Sequence, residues 1–292
     1  MNYIFLDMEW DNYYSKKFGK FVNEIVQIGA VKLDNKFHIV SDFNIYIKSE
    51  ISKKLSSRFK RLTNITNEQM LGGVSFCDAI KKYKEWCGDN YVTLTWSNSD
   101  LHTLLDNTRL FSEDDCPDVI GKYVDLQAYV QNKLIQKGFE FEGQLSLLDA
   151  CEMLDVAAEN FDMHTARDDS MLSSFLLKRT YDRRDFSKYI IDTNEDGYFD
   201  RLVFKPYYIT DINDPRISPK AIECRCPNCG KAAVRSGAWS YKNYAFTAEH
   251  FCKKCKIKFF MQATFKMNYD SISIKKRISF GNRVKALSAS GK

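Results

Sequence analysis

The chain has 292 residues, 44% of them hydrophobic, and this composition is typical of a globular protein without low-complexity or collagen-like bias. No apolar run approaches the roughly 20 residues that a membrane span needs, and Asp7 interrupts the N-terminus before a secretory apolar segment forms, so we expect a cytoplasmic protein with no membrane partner. Residues 1–215 carry 26 Lys and Arg against 35 Asp and Glu, whereas residues 216–292 carry 17 against 3. The basic C-terminal part favours a polyanionic partner over a merely solvated surface.

The first predicted strand, Tyr3 to Glu9, carries two carboxylates at its end. Alternate side chains of a strand share a face, so Asp7 and Glu9 project together. Two like charges so placed repel each other, and a divalent cation such as Mg²⁺ relieves that repulsion. Because Asp-x-Glu at a strand end is more often solvated surface, the motif indicates a metal site only in combination with other parts of the chain.

Two further strands are predicted to follow. Glu24 to Leu33 is rich in β-branched residues, a turn follows at Asp34, and Phe37 to Lys48 returns with near alternation, so the three strands form an antiparallel meander. The aromatic and basic segment between the first two strands, Asp11 to Val22, is long for a hairpin loop, and we expect it to border a site.

The next acidic candidate is Asp100. A strand over Tyr91 to Trp96 is followed by a strand-to-helix turn that contains Asp100, at the strand end where α/β folds place ligand sites. The alternative for Asp100 is a helix N-cap. Apolar residues at helical spacing predict helices over residues 75–87, 101–110, 126–137 and 146–154.

A last helix of this part is predicted to begin near Thr165. Thr165 with Asp168 three residues later is typical of a capping box, which gives Asp168 a structural role and leaves Asp169 for chemistry. His164 precedes this helix and lies beside the predicted site. The alternative for His164 is an exposed or structurally satisfied histidine.

These five polar residues, Asp7, Glu9, Asp100, His164 and Asp169, stand in an order that resembles the DEDDh, or DnaQ-like, 3′-to-5′ exonucleases. Three further segments resemble the family's second strand, its Leu-Thr-Gly-Ile motif with Asn64 for Gly, and its second acidic motif: Glu24–Val31, Leu62–Thr66 and Trp96–Asp100. The sister DEDDy group would have Tyr at position 165, which is Thr. The resemblance covers about residues 1–182 and implies an α/β, RNase H-like mixed sheet flanked by helices.

The resemblance also implies roles. Asp7 would bridge two Mg²⁺ or Mn²⁺ ions, Glu9 and Asp169 would complete the first site, and Asp100 would hold the second. His164 would accept the proton of the attacking water near neutral pH, and 5′-mononucleotides would leave the 3′ end. The predicted substrate-binding residues are Met8, Trp10, Leu62, Asn64, Ile65, Trp96 and Asn98.

Two of these positions depart from the family pattern. Trp10 stands where Thr is common, and Asn64 replaces Gly. Both lie where the terminal nucleotide would bind, which leaves the substrate preference open. Trp10 can stack on a base or belong to the core.

The basic C-terminal part contains Cys226, Cys229, Cys252 and Cys255 as two Cys-x-x-Cys pairs, which resemble a zinc ribbon with one structural Zn²⁺. Cys224 is a spare, competing thiol, and a redox role for the pairs fits the basic surroundings less well. Between the pairs, Trp239, Tyr241, Tyr244 and Phe246 form either a stacking surface for single strands or the ribbon's core. Residues 275–292 would contact phosphates.

We therefore predict an exonuclease domain over residues 1–182, a connector over 183–215 and a basic zinc-ribbon domain over 216–292. The expected activity is metal-dependent 3′-to-5′ hydrolysis of nucleic acid from single-stranded 3′ ends. RNA is placed slightly ahead of DNA because of a likeness to stand-alone ERI-type exoribonucleases. The alternatives are a non-catalytic nucleic-acid-binding module and a proofreading subunit that docks on a polymerase.

Overall fold

A computed structural model of the chain describes residues 1–114, 116–161 and 165–280 and the backbone of residues 283–285. The chain divides into two compact units, Met1–Leu202 and Val203–Lys292. This boundary differs from the predicted ones, because the predicted connector over residues 183–215 is shared between the two units. Its first part folds with the first unit, where Phe186 and Phe199 are buried.

The first unit is a six-stranded mixed sheet with helices packed on it. The strands are β1 (Asn2–Ser15), β2 (Lys20–Leu33), β3 (Ile39–Tyr46), β4 (Tyr91–Thr95), β5 (Lys122–Asp125) and β6 (Ile191–Asp192). The helices are α1 (Ser57–Thr63), α2 (Asn67–Leu71), α3 (Phe76–Cys87), α4 (Ser99–Phe111), α5 (Leu126–Gln136), α6 (Leu147–Met153), α7 (Ala166–Thr180), α8 (Arg183–Phe186) and α9 (Tyr198–Val203). Short 3-10 helices lie at Ala158–Asn160, Ser187–Tyr189 and, in the second unit, Pro219–Ile222.

The strand order is β3-β2-β1-β4-β5-β6. β4 pairs in parallel with β1 and β5, and the other pairs are antiparallel, so the predicted meander and the predicted α/β architecture are confirmed. The main core joins strands and helices, and its buried members include Phe5, Leu94, Val124, Leu134 and Leu176. Every residue from Glu24 to Val31 of β2 is buried, because α4 and α7 pack against this strand.

The β1–β2 hairpin is longer than the sequence suggested. The prediction of a long loop over residues 11–22 is wrong, since the strands stay paired as far as Ser15 and Lys20. Tyr13, Tyr14, Phe21 and Val22 have high strand propensity and extend the ladder. Four residues remain for the turn, which ends at Gly19 with φ +65°. We call residues 12–23 the hairpin arm.

The second unit is an antiparallel β structure. Its strands are β7 (Tyr207–Tyr208), β8 (Cys224–Arg225), β9 (Ala232–Arg235), β10 (Ser240–Lys242), β11 (Ala245–Cys252), β12 (Ile257–Met267), β13 (Ile272–Phe280) and β14 (Arg283–Lys285). They follow the order β14-β13-β12-β11-β9-β8, with β10 on β11 and β7 on β12. The small core includes Phe246, Phe259, Met261 and Phe265, together with Cys252.

Among the residues that the structure describes, no helix is both long enough and apolar enough to cross a membrane.

Candidate active site and metal centres

Three carboxylates meet where β1 passes the start of α7. Asp7 and Glu9 lie on β1, and Asp169 lies in the first turn of α7. One carboxylate oxygen from each of the three lies within 4.8 Å of the others. The structure thus brings together three of the five residues of the predicted signature, and we call them the acidic cluster.

The close approach of α7 depends on Gly29 of β2. A Cβ atom added to Gly29 would lie 2.4 Å from the backbone carbonyl carbon of Ala166, so a side chain at this position would push the helix away. The Ser170 hydroxyl also donates a hydrogen bond of 3.2 Å to the Gly29 carbonyl oxygen. Asp7 is the cross-strand partner of Gly29, which places the acids of β1 beside this helix.

Asp100 lies in the first turn of α4, whose N-cap is Asn98. The N-cap alternative for Asp100 is therefore wrong. Its Oδ1 atom accepts a hydrogen bond of 3.0 Å from the backbone N–H of Met8, the residue between Asp7 and Glu9. Asp100 is buried, and this bond fixes α4 to the strand that carries the other two acids.

The four acids are costly to ionise together. Burial, followed by repulsion from Asp100, Asp169 and Glu9, raises the pKa of Asp7 well above its ordinary value. Burial and the charges of Asp169 and Asp100 raise the pKa of Glu9 to about 8. Burial also raises the pKa of Asp100 to about 7, although the Met8 N–H opposes the shift.

This donor set fits hard divalent cations. Carboxylate oxygens are the ligands that Mg²⁺ and Mn²⁺ prefer, and a cation among them removes the repulsion that raises their pKa values. None of the ion pairs within the described residues involves Asp7 or Glu9, so protein cations do not neutralise them there.

The start of α7 is fixed by its neighbours. Thr165 is the N-cap, and its side chain accepts a 3.3 Å hydrogen bond from the Asp168 N–H, which is the first of the two bonds of the predicted capping box. The Asp168 carboxylate accepts a 2.8 Å bond from Arg167, which also pairs with Asp42 of β3 at 3.0 Å. His164, the predicted proton acceptor, lies outside the described residues.

The predicted substrate-binding residues differ in exposure. Met8 and Ile65 are buried, Trp10 and Trp96 are half-buried, and Leu62, Asn64 and Asn98 are exposed. Ile65 belongs to a small core with Phe59 and Met70. The Trp96 ring packs against the main core, and its Nε1–H donates to the Leu145 carbonyl oxygen at 3.3 Å. The Ile65 and Trp96 side chains therefore contribute to the cores of this unit.

The replacement of Gly by Asn64 has a backbone explanation. Asn64 ends α1 in the left-handed conformation, with φ +58° and ψ +7°, and its N–H donates to the Lys60 carbonyl oxygen. Gly is the usual residue at such a helix end, and Asn is the side-chain-bearing residue that tolerates it best. The chain therefore keeps the turn while presenting an amide at this point.

The four predicted cysteines also meet. The Sγ atoms of Cys226, Cys229, Cys252 and Cys255 lie within 4.8 Å of one another. In each pair the residue directly after the second cysteine adopts the left-handed conformation, at Gly230 with φ +69° and at Lys256 with φ +57°. Cys224 is buried in the same core but is not part of this group.

The thiols fit a tetrahedral zinc site. The Cys255 backbone N–H, at 3.4 Å from the Cys252 Sγ, lowers the pKa of Cys252 to about 7. Hydrogen bonding with Cys229 instead raises the pKa of Cys255 to about 12. Four thiols that share their protons in this way cannot all ionise unless a cation compensates them, and four thiolates are a set that zinc prefers.

The predicted stacking surface of the insert is only partly present. Phe246 is buried, and Trp239 packs against the core, so these two do not offer free faces. Tyr241 and Tyr244 are exposed. Tyr244 stacks on Tyr208 of β7, with ring centroids 4.7 Å apart, a partner that the sequence did not indicate because it lies 36 residues earlier.

Comparisons with known proteins agree with this geometry. The sequence model of the exonuclease family matches residues 5–176, which is more than half of the chain and includes all four acids. The probable 3′-5′ exonuclease KapD of Bacillus subtilis (strain 168) is 32% identical over 109 residues, which are 36% of this chain and 51% of KapD. The chain therefore matches about half the length of this curated relative.

Two solved structures share the fold. The cell-death related nuclease 4 (CRN-4) has a TM-score of 0.54 and 19% identity over 61% of this chain and 62% of its own. The nuclease domain of 3′hExo, a DEDDh family member bound to rAMP, has a TM-score of 0.53 and 24% identity over 61% of this chain and 90% of its own. These likenesses confirm the RNase H-like fold, and together with the family match they show that the chain belongs to the exonuclease family.

Proposed function

We propose that the protein is a metal-dependent 3′-to-5′ exonuclease that releases 5′-mononucleotides. The observation that carries the proposal is the acidic cluster, in which three carboxylates lie within 4.8 Å of one another in a domain of the exonuclease family. Half-buried acids with raised pKa values destabilise a protein when they ionise, and such groups concentrate at functional sites.

The acids would hold two Mg²⁺ or Mn²⁺ ions, with Asp7 shared, Glu9 and Asp169 at the first site and Asp100 at the second. When bound, the cations neutralise the scissile phosphate and make a water more acidic. Asp100 also positions β1, because it accepts the Met8 N–H and so fixes the backbone between the two β1 acids. His164 would accept the proton of the attacking water.

The substrate would be a single-stranded 3′ end, with RNA ahead of DNA. In support, the nuclease domain of 3′hExo was solved with rAMP, and a 3′-exonuclease of the same fold was solved in specific recognition of a histone mRNA stem-loop at its 3′ end, with a TM-score of 0.51. A cytoplasmic location would place the protein beside such substrates.

The second unit would hold Zn²⁺ through Cys226, Cys229, Cys252 and Cys255 and would bind nucleic acid. Cross-strand pairing places Gln262 of β12 opposite Arg277 of β13, and Thr264 opposite Lys275, on the face away from the core. On the same face Lys266 pairs with Tyr208, which stacks on Tyr244. Cations beside exposed aromatic rings are typical of surfaces that bind single strands.

The test is digestion of matched RNA and DNA oligonucleotides, single- and double-stranded, by the full chain with Mn²⁺ or with a chelator. The proposal predicts stepwise shortening from the 3′ end only with metal. The oligonucleotide that is shortened faster, RNA or DNA, is the preferred substrate. Oligonucleotides that stay intact yet are retarded in a gel would contradict the enzyme and favour a non-catalytic binding module. If the oligonucleotides are neither cleaved nor retarded, the result would favour a subunit that acts only with a protein partner.

A further inference from the structure

The hairpin arm continues the two strands beyond the acidic cluster. Tyr14 is paired with Phe21, and Ser15 is paired with Lys20, so the arm is a regular two-stranded ribbon. Tyr14 lies five residues after Glu9 on the same strand, a distance of about 17 Å at ~3.4 Å per residue. The arm therefore extends away from the cluster on the strand that carries Asp7 and Glu9.

Two buried carboxylates fix the base of the arm. Asp11 and Glu24 are cross-strand partners, and each accepts hydrogen bonds from the segment that follows β3. The Asp11 carboxylate accepts the Ser56 N–H at 2.6 Å and the Ser56 hydroxyl at 2.8 Å. The Glu24 carboxylate accepts the Ser49 hydroxyl at 2.5 Å and the Glu50 N–H at 2.6 Å. The proposed chemistry has no use for these two acids, and their bonds hold the arm in one orientation.

The surface of the arm is aromatic and cationic. Tyr14 is 57% exposed and Phe21 is 68% exposed, with ring centroids 5.4 Å apart in an edge-to-face pair. Residues 12–23 contain Lys16, Lys17 and Lys20 and no acidic residue. Two exposed rings on a ribbon fixed at its base keep apolar surface in water, which is unfavourable unless a ligand covers it.

A cavity of about 330 Å³ lies beside the tip of the arm. Its wall includes Tyr14, Lys16, Lys17, Phe18, Glu50 and Phe111. Phe18 and Phe111 form an edge-to-face pair at 6.3 Å, and the Lys17 Nζ lies 5.1 Å from the centroid of the Phe18 ring. Aromatic walls suit a flat heterocycle, the lysines suit phosphate, and the Glu50 carboxylate can accept a hydrogen bond from an exocyclic amine.

We propose that the hairpin arm and this cavity bind a nucleotide of a single-stranded nucleic acid upstream of its 3′ end. The base stacks against the aromatic side chains of the arm, and the lysines of the tip contact the neighbouring phosphates. The polarity of the strand rests on the proposed exonuclease function. At the ~3.4 Å spacing of a stacked strand, the contacted nucleotide lies about five positions from the nucleotide at the acidic cluster.

The test measures binding by fluorescence anisotropy, with the full chain in an Asp7→Asn background and no chelator, so that the cysteine-bound ion stays in place. The probes are labelled oligocytidylates of 4 and 15 nucleotides, whose bases carry an exocyclic amine. Tyr14→Ala with Phe21→Ala removes the rings, and Lys16→Gln with Lys17→Gln removes two cations. Phe139→Ala with Lys137→Gln is the matched control, because Phe139 and Lys137 are exposed beyond α5 and distant in sequence from the arm.

Loss of the two rings is expected to weaken binding of the 15-mer on the order of tenfold and to leave the 4-mer within about twofold. Loss of the two lysines is expected to reduce the salt dependence of 15-mer binding by about 1.4 in the log–log slope. An unchanged affinity for the 15-mer, or an equal loss for both lengths, would overturn the proposal, as would a parent protein that does not bind the 15-mer. Circular dichroism confirms that each variant is folded.

Wild-type hydrolysis is measured in parallel to separate this proposal from the proposed function. A length-dependent arm effect without hydrolysis would remove the exonuclease and leave the arm as a binding site. Hydrolysis without any effect of the arm variants on binding would leave the exonuclease and remove the arm as a binding site.

Discussion

The acidic cluster and the cysteine cluster both gather ligand atoms within 4.8 Å, yet they are built in different ways. The acids come from β1 and α7, which are far apart in sequence and are held by a large core and by the contact at Gly29. The cysteines come from two local turns, and Cys226 and Cys252 are themselves buried members of a small core. We therefore expect the first unit to fold without its ions, and the second unit, whose core includes the ligands, to need its ion to fold.

The largest expected effect is that of a substitution in the cysteine cluster. Cys252→Ser is expected to release zinc and unfold the second unit, because structural zinc supplies about 10–16 kcal/mol of apparent binding free energy in small domains. Zinc content and hydrogen exchange of residues 203–280 measure this. Cys224→Ala is the control, since Cys224 lies in the same core but outside the cluster and its loss should leave zinc bound. Zinc retained by the Cys252 variant and lost by the Cys224 variant would reverse the assignment.

A smaller effect tests how the first unit positions its acids. Gly29→Ala is expected to lower the free energy of unfolding by about 3 kcal/mol and to reduce hydrolysis, because the added Cβ collides with the backbone of α7. Denaturant unfolding followed by tryptophan fluorescence measures the free energy of unfolding. It is carried out in a Trp239→Phe background, since the remaining tryptophans, Trp10, Trp86 and Trp96, all lie in the first unit.

Gly121→Ala is the matched control for that substitution. An added Cβ at Gly121 meets only the Asn194 side chain, at 3.7 Å, which is an ordinary contact. If Gly29→Ala and Gly121→Ala unfold at the same denaturant concentration, the close approach of α7 does not constrain the site.

The smallest expected effect is on pH dependence. Glu9 has an ordinary pKa of 4.5 when unfolded and about 8 when folded, so the folded state binds its proton more tightly. Stability from this group is complete below pH 4.5 and is lost as the pH rises to about 8. Between pH 5 and 8, the free energy of unfolding of the first unit without Mg²⁺ or Mn²⁺ should fall by on the order of 1 kcal/mol per pH unit for each such proton.

Denaturant unfolding of the Trp239→Phe protein at several pH values measures this slope. Glu9→Gln should flatten it, and Asp106→Asn, which changes an exposed acid of α4, should leave it unchanged. Equal slopes in all three proteins would show that the acidic cluster does not store charge repulsion.

The sequence predicts best what depends on local spacing. The two Cys-x-x-Cys pairs and the Asp7–Glu9 pair follow from intervals of two or three residues, and the Thr165 cap follows from the residues next to it. The Met8–Asp100 bond and the Gly29–Ala166 contact join residues 92 and 137 positions apart, so they depend on how the sheet and the helices pack. The sequence places Asp100 at the correct strand end but does not reveal what its carboxylate binds.

The arm and the connector show a second limit. Lysines and a glycine between residues 15 and 20 have loop composition and do form the turn, and only cross-strand pairing makes the flanking residues 11–15 and 20–22 part of a ribbon. Residues 183–202 resemble a linker because their elements are short, and burial of Phe186 and Phe199 attaches them to the first unit. Whether Phe246 packs or stacks is likewise decided by its position on β11 opposite Ala263, not by its type.

The most direct measurement is single-turnover hydrolysis of a 3′-accessible oligonucleotide by Asp7→Asn, with binding measured in the same protein and zinc content unchanged. The account predicts that hydrolysis falls at least about a hundredfold, since Asp7 belongs to the acidic cluster, while affinity for the oligonucleotide stays within a few fold. Hydrolysis at the wild-type rate would contradict the account and place the active site elsewhere in the chain.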